Sequence, residues 1–225
     1  MNDSLNGKNS GKLRVKKNFM IQAWLVLFLS VFFGVSLAAV QLTLSPKIKA
    51  NKLNETMKNV PGLLPGHYAP DALKISRRFL TAVSGGVKKS YSLFTAMSGK
   101  TLVGYVVKAS GQGYSDSIDA LIGLDASLSR ITGVFILSQK ETPGLGGKIT
   151  DPEWRAQFID KPTDRPLKVV KTGARASNEI DAITGATISS RSLCSIINQA
   201  VSDVKGILES NEKSSQQVTG VNENG

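Results

Sequence analysis

The feature that most restricts this chain is a stretch without charge. Between Lys17 and Lys47 no side chain is ionised. The apolar part runs over 19–44, and within it Ala23–Val40 carries polar side chains only at Ser30 and Ser36. A helix that crosses a bilayer needs about 20 apolar residues. The apolar core of a cleaved secretory signal holds about 7–15. The length therefore favours a retained transmembrane helix over 19–44, although Ser36-Leu37-Ala38 has the small residues of a cleavage site. Residues 1–18 carry Lys8, Lys12, Arg14, Lys16 and Lys17 against Asp3 alone. Positive flanks stay in the cytoplasm, so the rest of the chain is expected to face outward. The far flank is also basic, with Lys47, Lys49, Lys52 and Lys58 against Glu55. Such a skirt suits contact with the anionic head groups of a lipid bilayer.

The remainder is long enough for one domain. Of 225 residues, 41% are hydrophobic, which supports a packed core. The single Cys194 excludes an intrachain disulfide, a Cys-cluster zinc site and a self-contained iron–sulfur site. Burial as a small apolar side chain is its default role. The single His67, in a loop rich in Pro and Gly, excludes a zinc site with two His ligands and reads as a surface histidine. What survives is chemistry brought by a bound cofactor. The net charge of +11 comes from bases spread along the chain, without an aromatic-interleaved stripe, so no nucleic-acid partner is expected.

Residues 45–90 are expected to form a stalk and linker. A helical continuation from the membrane is followed by breakers from Pro61-Gly62 to Pro70. From Tyr91 the pattern turns to strands. Tyr91–Met97 and Thr101–Ala109 read as one hairpin, and Ile118–Leu124 with Arg130–Leu137 as a second. Gly-rich loops follow each pair, at 110–114 and 141–149. Asp151-Pro152-Glu153-Trp154 has the N-cap and first-turn residues of a short helix, with Phe158 and Ile159 on its buried face. Residues 168–171 suggest a short strand. Leu193, Ile196, Ile197, Ala200, Val201, Val204 and Leu208 recur at helical steps. The polar tail 210–225 is expected to be disordered. The fold class is α+β: an antiparallel-sheet domain over 91–209, covered on one face by a long C-terminal helix.

The informative stretch is Asp181-Ala182-Ile183-Thr184-Gly185-Ala186-Thr187, followed by Ile188-Ser189-Ser190. Thr184, Thr187, Ser189 and Ser190 place four hydroxyls at or before a helix N-terminus. That end presents unpaired N–H groups and a partial positive charge, which suits a phosphate. Gly185 and Ala186 have almost no side chain, so a bulky group can approach the main chain. Asp181 adds a carboxylate. Ordinary helix capping explains the same residues, because Ser and Thr favour those positions.

The pattern Asp-x-x-Thr-Gly-Ala-Thr resembles the attachment motif of membrane-bound FMN-binding domains. That family includes the G subunit of Rnf-type electron-transport complexes and the C subunit of sodium-pumping NADH:quinone reductases. The resemblance implies FMN held covalently through its phosphate on Thr187, with Asp181, Thr184, Gly185, Ala186 and Ser189 around it. It also implies a flavin transferase that uses FAD during maturation. A second motif, Glu141-Thr142-Pro143-Gly144-Leu145-Gly146, is similar to a loop of the same family that follows a strand. Gly144 and Gly146 let main chain lie against a flat ring, Leu145 suits its face, and Thr142 suits its edge or ribityl chain. Two departures stand out: Gln139 replaces the usual His, and Gly113-Tyr114-Ser115-Asp116 replaces Gly-Tyr-Gly-Gly.

The function implied is an electron relay. FMN would pass electrons between other membrane subunits of an Rnf-type ferredoxin:NAD⁺ oxidoreductase, in a bacterial inner membrane with the domain outside. Tethering keeps the flavin where free FMN is scarce. Lys140, Lys148 and Arg191 are candidate cations beside it. The alternatives are the quinone-reductase C subunit, a free-standing extracytoplasmic FMN reductase and a cofactor-free membrane anchor. No metal site is expected.

Overall fold

The computed structural model describes residues 10–66, 68, 72–84 and 86–219. His67 lies outside them, as do Lys8 and Asp3. The chain divides into two compact units, Met1–Leu53 and Asn54–Gly225.

The described residues of the first unit form one helix. Helix α1 spans Ser10–Asn59, with its last residues belonging to the second unit. Within the described part of the apolar stretch the side chains are bare: Trp24 is 71% exposed and Leu42 77%. Such a surface is unstable in water and stable in hydrocarbon. Ser30 and Thr43 hydrogen-bond back to carbonyls one turn earlier, which satisfies their hydroxyls without a partner outside the helix.

The second unit is built on a five-stranded antiparallel meander. Its strands are β1 (Lys74–Ser84), β2 (Val87–Ser98), β3 (Thr101–Gln112), β4 (Ser117–Asp125) and β5 (Ile131–Ser138), paired in that order. The two expected hairpins are β2–β3 and β4–β5, and β3 joins them through pairs such as Val107↔Ile122. One face is covered by helix α3 (Thr187–Thr219). Leu193, Ile197, Ala200 and Val204 pack there with no exposure, against Leu93, Ile118, Ile122 and Leu124. Each fully buried Leu, Ile or Val contributes about 1.5–3 kcal/mol. Val60, Leu63 and Leu64 cover part of the opposite face, over Phe94, Val106 and Leu121. β4 is therefore buried on both sides, which explains its nearly continuous apolar run.

After β5 come a 3-10 turn (Gly146–Thr150), the short helix α2 (Pro152–Ala156) and a parallel pair, β6 (Lys168–Val170) with β7 (Glu179–Asp181). The sheet domain starts earlier than Tyr91: β1 pairs with β2 from Lys74↔Met97 to Ser84↔Val87. As an edge strand it buries little beyond Leu80 and Ala82, so its sequence shows no clear alternation. α3 runs to Thr219 rather than ending in a disordered tail at Ser210. No Gly or Pro interrupts 207–219, and a packed helix propagates through such residues. Asp151 occupies the N-cap of α2 but makes no side-chain cap bond. Phe158 is buried as expected, whereas Ile159 is 52% exposed, because the chain turns after Ala156.

Candidate functional site

Glu141 organises the site. It lies just past β5 and is 4% exposed. Its Oε1 accepts from the Ser115 amide at 3.0 Å, and its Oε2 accepts from the Ser189 hydroxyl at 2.5 Å. One carboxyl group thus ties together the loop after β3, the loop after β5 and the first turn of α3. A Cβ on Gly146 would stand 2.6 Å from Ser189 Oγ and 2.9 Å from Glu141 Cβ, so only glycine lets the loop close on this pair. The Gln139 Oε1 accepts from the Glu141 amide at 2.5 Å, which turns the chain inward at that point. Gln139 therefore acts on the loop's shape.

The turn before α3 is equally determined. The Ala186 amide donates to Ile183 O at 2.9 Å, and Gly185 has φ +79 within this turn. That conformation is strained for any residue with a Cβ. A Cβ there would also stand 3.0 Å from Leu145 Cδ2, so Leu145 lies over the bare backbone of Gly185. The two sequence motifs meet at this contact. Ser190 locks the turn from inside: its Oγ accepts from the Ile183 amide and donates to Ala186 O, both at 3.1 Å.

The four hydroxyls therefore divide. Ser189 and Ser190 are buried and used internally. Thr184 is exposed and Thr187, the first residue of α3, is half-buried. Among the described residues the Thr187 hydroxyl has no hydrogen-bond partner. The first amide of α3 to find one on the main chain is Ser190, on Ala186 O at 3.1 Å. The amides of Thr187, Ile188 and Ser189 are left without one among the described residues. They form the donor end of a long helix, which suits an anionic oxygen. This donor set and the side-chain-free turn beside it fit a phosphate ester of a bulky group. Tyr114, Leu145 and Ile188 are exposed apolar side chains on the three segments that Glu141 ties together. Thr142 and Gly144 lie exposed in the same loop, with Gly144 at φ +73.

Asp181 is a structural post. Its Oδ1 accepts from the Ala174 amide, its own amide donates to Gln157, and its carbonyl accepts from the Trp154 indole, all at 2.8 Å. Of the candidate cations, Lys140 pairs with Asp116 at 3.0 Å, while Lys148 and Arg191 are exposed. The Ser117 amide and Lys140 hold the Asp116 carboxyl below its ordinary range. Cys194 is buried, and burial pushes its thiol up to about 12. Sequence reasoning gave Ser115 and Ile188 no role in the site: the contact of the Ser115 amide with Glu141 joins segments 26 residues apart, and an apolar residue such as Ile188 reads locally as core.

Residues 113–202 match the model of the FMN-binding domain family. The segment begins at Gly113, in the first loop that Glu141 ties. The chain is 33% identical over 171 residues to the G subunit of the proton-translocating ferredoxin:NAD(+) oxidoreductase complex of Clostridium ljungdahlii, covering 76% of this chain and 83% of that one. This chain belongs to the family of FMN-binding subunits of Rnf- and quinone-reductase-type complexes. Within the family it is 39% identical over 104 residues to the G subunit of the ion-translocating oxidoreductase complex of Methanosarcina acetivorans, covering 46% of this chain and 53% of that one. The chain thus spans about half the length of that family member. The crystal structure of the C subunit of the Na(+)-translocating NADH-quinone reductase from Parabacteroides distasonis has the same fold, with TM-score 0.56 at 21% identity over 71% of this chain and 94% of that one. With its bare apolar helix and such relatives, this family member is a membrane-anchored protein.

Proposed function

We propose that this chain is the G subunit of an Rnf-type ion-translocating ferredoxin:NAD⁺ oxidoreductase complex, carrying FMN as a phosphoester on Thr187. The match over 83% of the Clostridium protein favours this assignment over the quinone-reductase C subunit. The observation that carries it is the position of Thr187. Its hydroxyl is unengaged, at the donor end of α3, beside a turn that Gly185 and Ala186 keep open.

Bound there, FMN would supply the redox chemistry, and the chain's residues do the rest. In maturation Thr187 would supply the hydroxyl that displaces AMP from the flavin-side phosphorus of FAD, the hydroxyl proton leaving with the AMP. A flavin transferase would catalyse that transfer. The free amides of the first turn hold the phosphate oxygens. Gly144, Leu145 and Gly146, held by Glu141, present main chain and one apolar side chain to the ring, and Thr142 offers a hydroxyl to its edge. Thr184 flanks the ester. Lys148 and Arg191 offset the negative charge that reduction adds. No nucleotide-binding fingerprint or second cofactor motif accompanies this site in the sequence, so the chain acts as a relay between other membrane subunits. Its basic N-terminus stays in the cytoplasm and its sheet domain faces outward.

Intact mass of the protein from its native host tests the central claim. The expected value is the chain plus one FMN less one water. Thr187→Ala removes that increment, and flavin fluorescence no longer follows the denatured polypeptide. Because the hydroxyl has no partner to lose, stability changes by no more than about 0.5 kcal/mol. Flavin that stays on denatured Thr187→Ala protein refutes the assignment.

A further inference from the structure

From Ala72 to Ser115 the chain contains no acidic residue. The same stretch holds Lys74, Arg77, Arg78, Lys88, Lys89, Lys100 and Lys108, seven of the charges behind the net +11. The fold places them on or beside β1, β2 and β3. None of the seven forms an ion pair among the described residues, where the pairs are Lys140–Asp116 and Arg165–Asp164. Folding gains nothing from this concentration of like charge, which repels itself.

Apolar side chains accompany the bases. Phe79, Val83 and Val87 are 71%, 67% and 58% exposed. The register pairs Val83 with Lys88 and Phe79 with Ser92, and Arg77 stacks over the Phe79 ring at 4.9 Å. The hairpin of β1 and β2 therefore mixes exposed apolar and basic side chains. The two sheet edges also differ. At β5 the Asp160 amide donates to Ile131 O, and Arg155 Nη1 to Val134 O, both at 2.8 Å. Among the described residues β1 pairs only with β2, and no strand lies on its outer edge.

We propose that the β1–β2 hairpin is a second membrane contact, separate from α1. Phe79 and Val83 enter the head-group region of an anionic leaflet, and Arg77, Lys88 and Lys108, on the same face of the sheet, meet lipid phosphates. Three considerations favour lipid over an acidic protein. The charge is of one sign over 44 consecutive residues, as a lipid surface requires. Phe79 and Val83 share a face with Arg77 and Lys88, so the former can sink while the latter reach up to phosphate. The hairpin is also tethered: 29 residues separate Leu44 from Lys74, which holds it at high effective concentration beside the bilayer. The proposal rests on the membrane-anchored reading of α1.

The test uses the full chain with Val83→Cys, carrying an environment-sensitive fluorophore. Buried Cys194, its thiol pushed up to about 12, does not compete for the label. The labelled protein is placed in nanodiscs of phosphatidylcholine alone, or with phosphatidylglycerol. Glu153→Cys, on α2, is the control. The expected result is a blue shift and loss of iodide quenching at position 83 only, in anionic discs only, reversed by salt. Replacing Arg77 and Lys88 by Gln weakens the lipid contact about fivefold per charge removed. Identical emission from position 83 in both disc types overturns the proposal. So does a shift absent from lipid discs that appears only in native membranes, which assigns the hairpin to an acidic protein. Flotation with the discs reports the anchor separately, so a failed anchor and a failed hairpin contact give different results.

Discussion

Replacing Glu141 by Ala should loosen three segments together. The substitution removes the acceptor of the Ser115 amide and of the Ser189 hydroxyl. Hydrogen bonds to a carboxylate are each worth about 1.5–3 kcal/mol. Ser115 is near solvent and regains water easily, whereas Ser189 is 3% exposed and does not. The expected loss is therefore about 2–4 kcal/mol of local stability. Converted at 1.4 kcal/mol per decade, this is a roughly 30- to 1000-fold rise in local opening. Hydrogen exchange read by mass spectrometry resolves it. Peptides covering 113–117, 141–147 and 186–190 should exchange faster together, while β2 and β3 keep their protection. Glu141→Gln keeps the volume and one acceptor oxygen, and the Ser189 hydroxyl can turn to accept from the new amide. It should cost about 1 kcal/mol, a roughly fivefold effect. If Glu141→Ala speeds exchange only within 141–147 and leaves the start of α3 unchanged, the carboxylate is not the tie described here.

Two further substitutions test neighbouring arguments. Gly185→Ala places a Cβ at φ +79 and 3.0 Å from Leu145 Cδ2. It should cost about 1–2 kcal/mol and lower Tm by roughly 2–8 °C in a thermal scan, and an unchanged Tm contradicts the strain argument. Asp125 gives a pH dependence. Partial burial opposes its charge, but hydrogen bonds from Ser127, Ser129 and Arg130 outweigh it and hold the carboxyl below its ordinary 3.8. A depressed folded value means that the stabilisation is complete above pH 3.8 and is lost as pH falls through the folded value. Wild-type Tm should drop between pH 5 and pH 3 by more than that of Asp125→Asn, and parallel curves refute the assignment.

Local periodicity was enough to read α1, the strand pairs within β2–β5 and the packed face of α3. Each buries its apolar side chains with a fixed period, and a period is written in adjacent residues. The two motifs were legible through their resemblance to a family pattern, since spacing alone fitted ordinary capping and a tight loop equally. The structure supplies the physical reason for Gly185 and Gly146, which stand where main chain turns or closes without a Cβ. Other features depend on segments far apart in the chain. β1 carries an edge strand's mixed surface, and β7 is three residues, too short for a period to register, whereas the strand expected at 168–171 is β6. Of four similar hydroxyls, Ser189 was engaged by a carboxylate 46 residues before Thr187. Ser189 and Ser190 are capping residues to any local rule. Only the arrival of Glu141, and the turn locked by Ser190, took them inside and left Thr184 and Thr187 unengaged. Hydrogen-bond satisfaction is a property of the packed neighbourhood, and the order of residues along the chain does not state it.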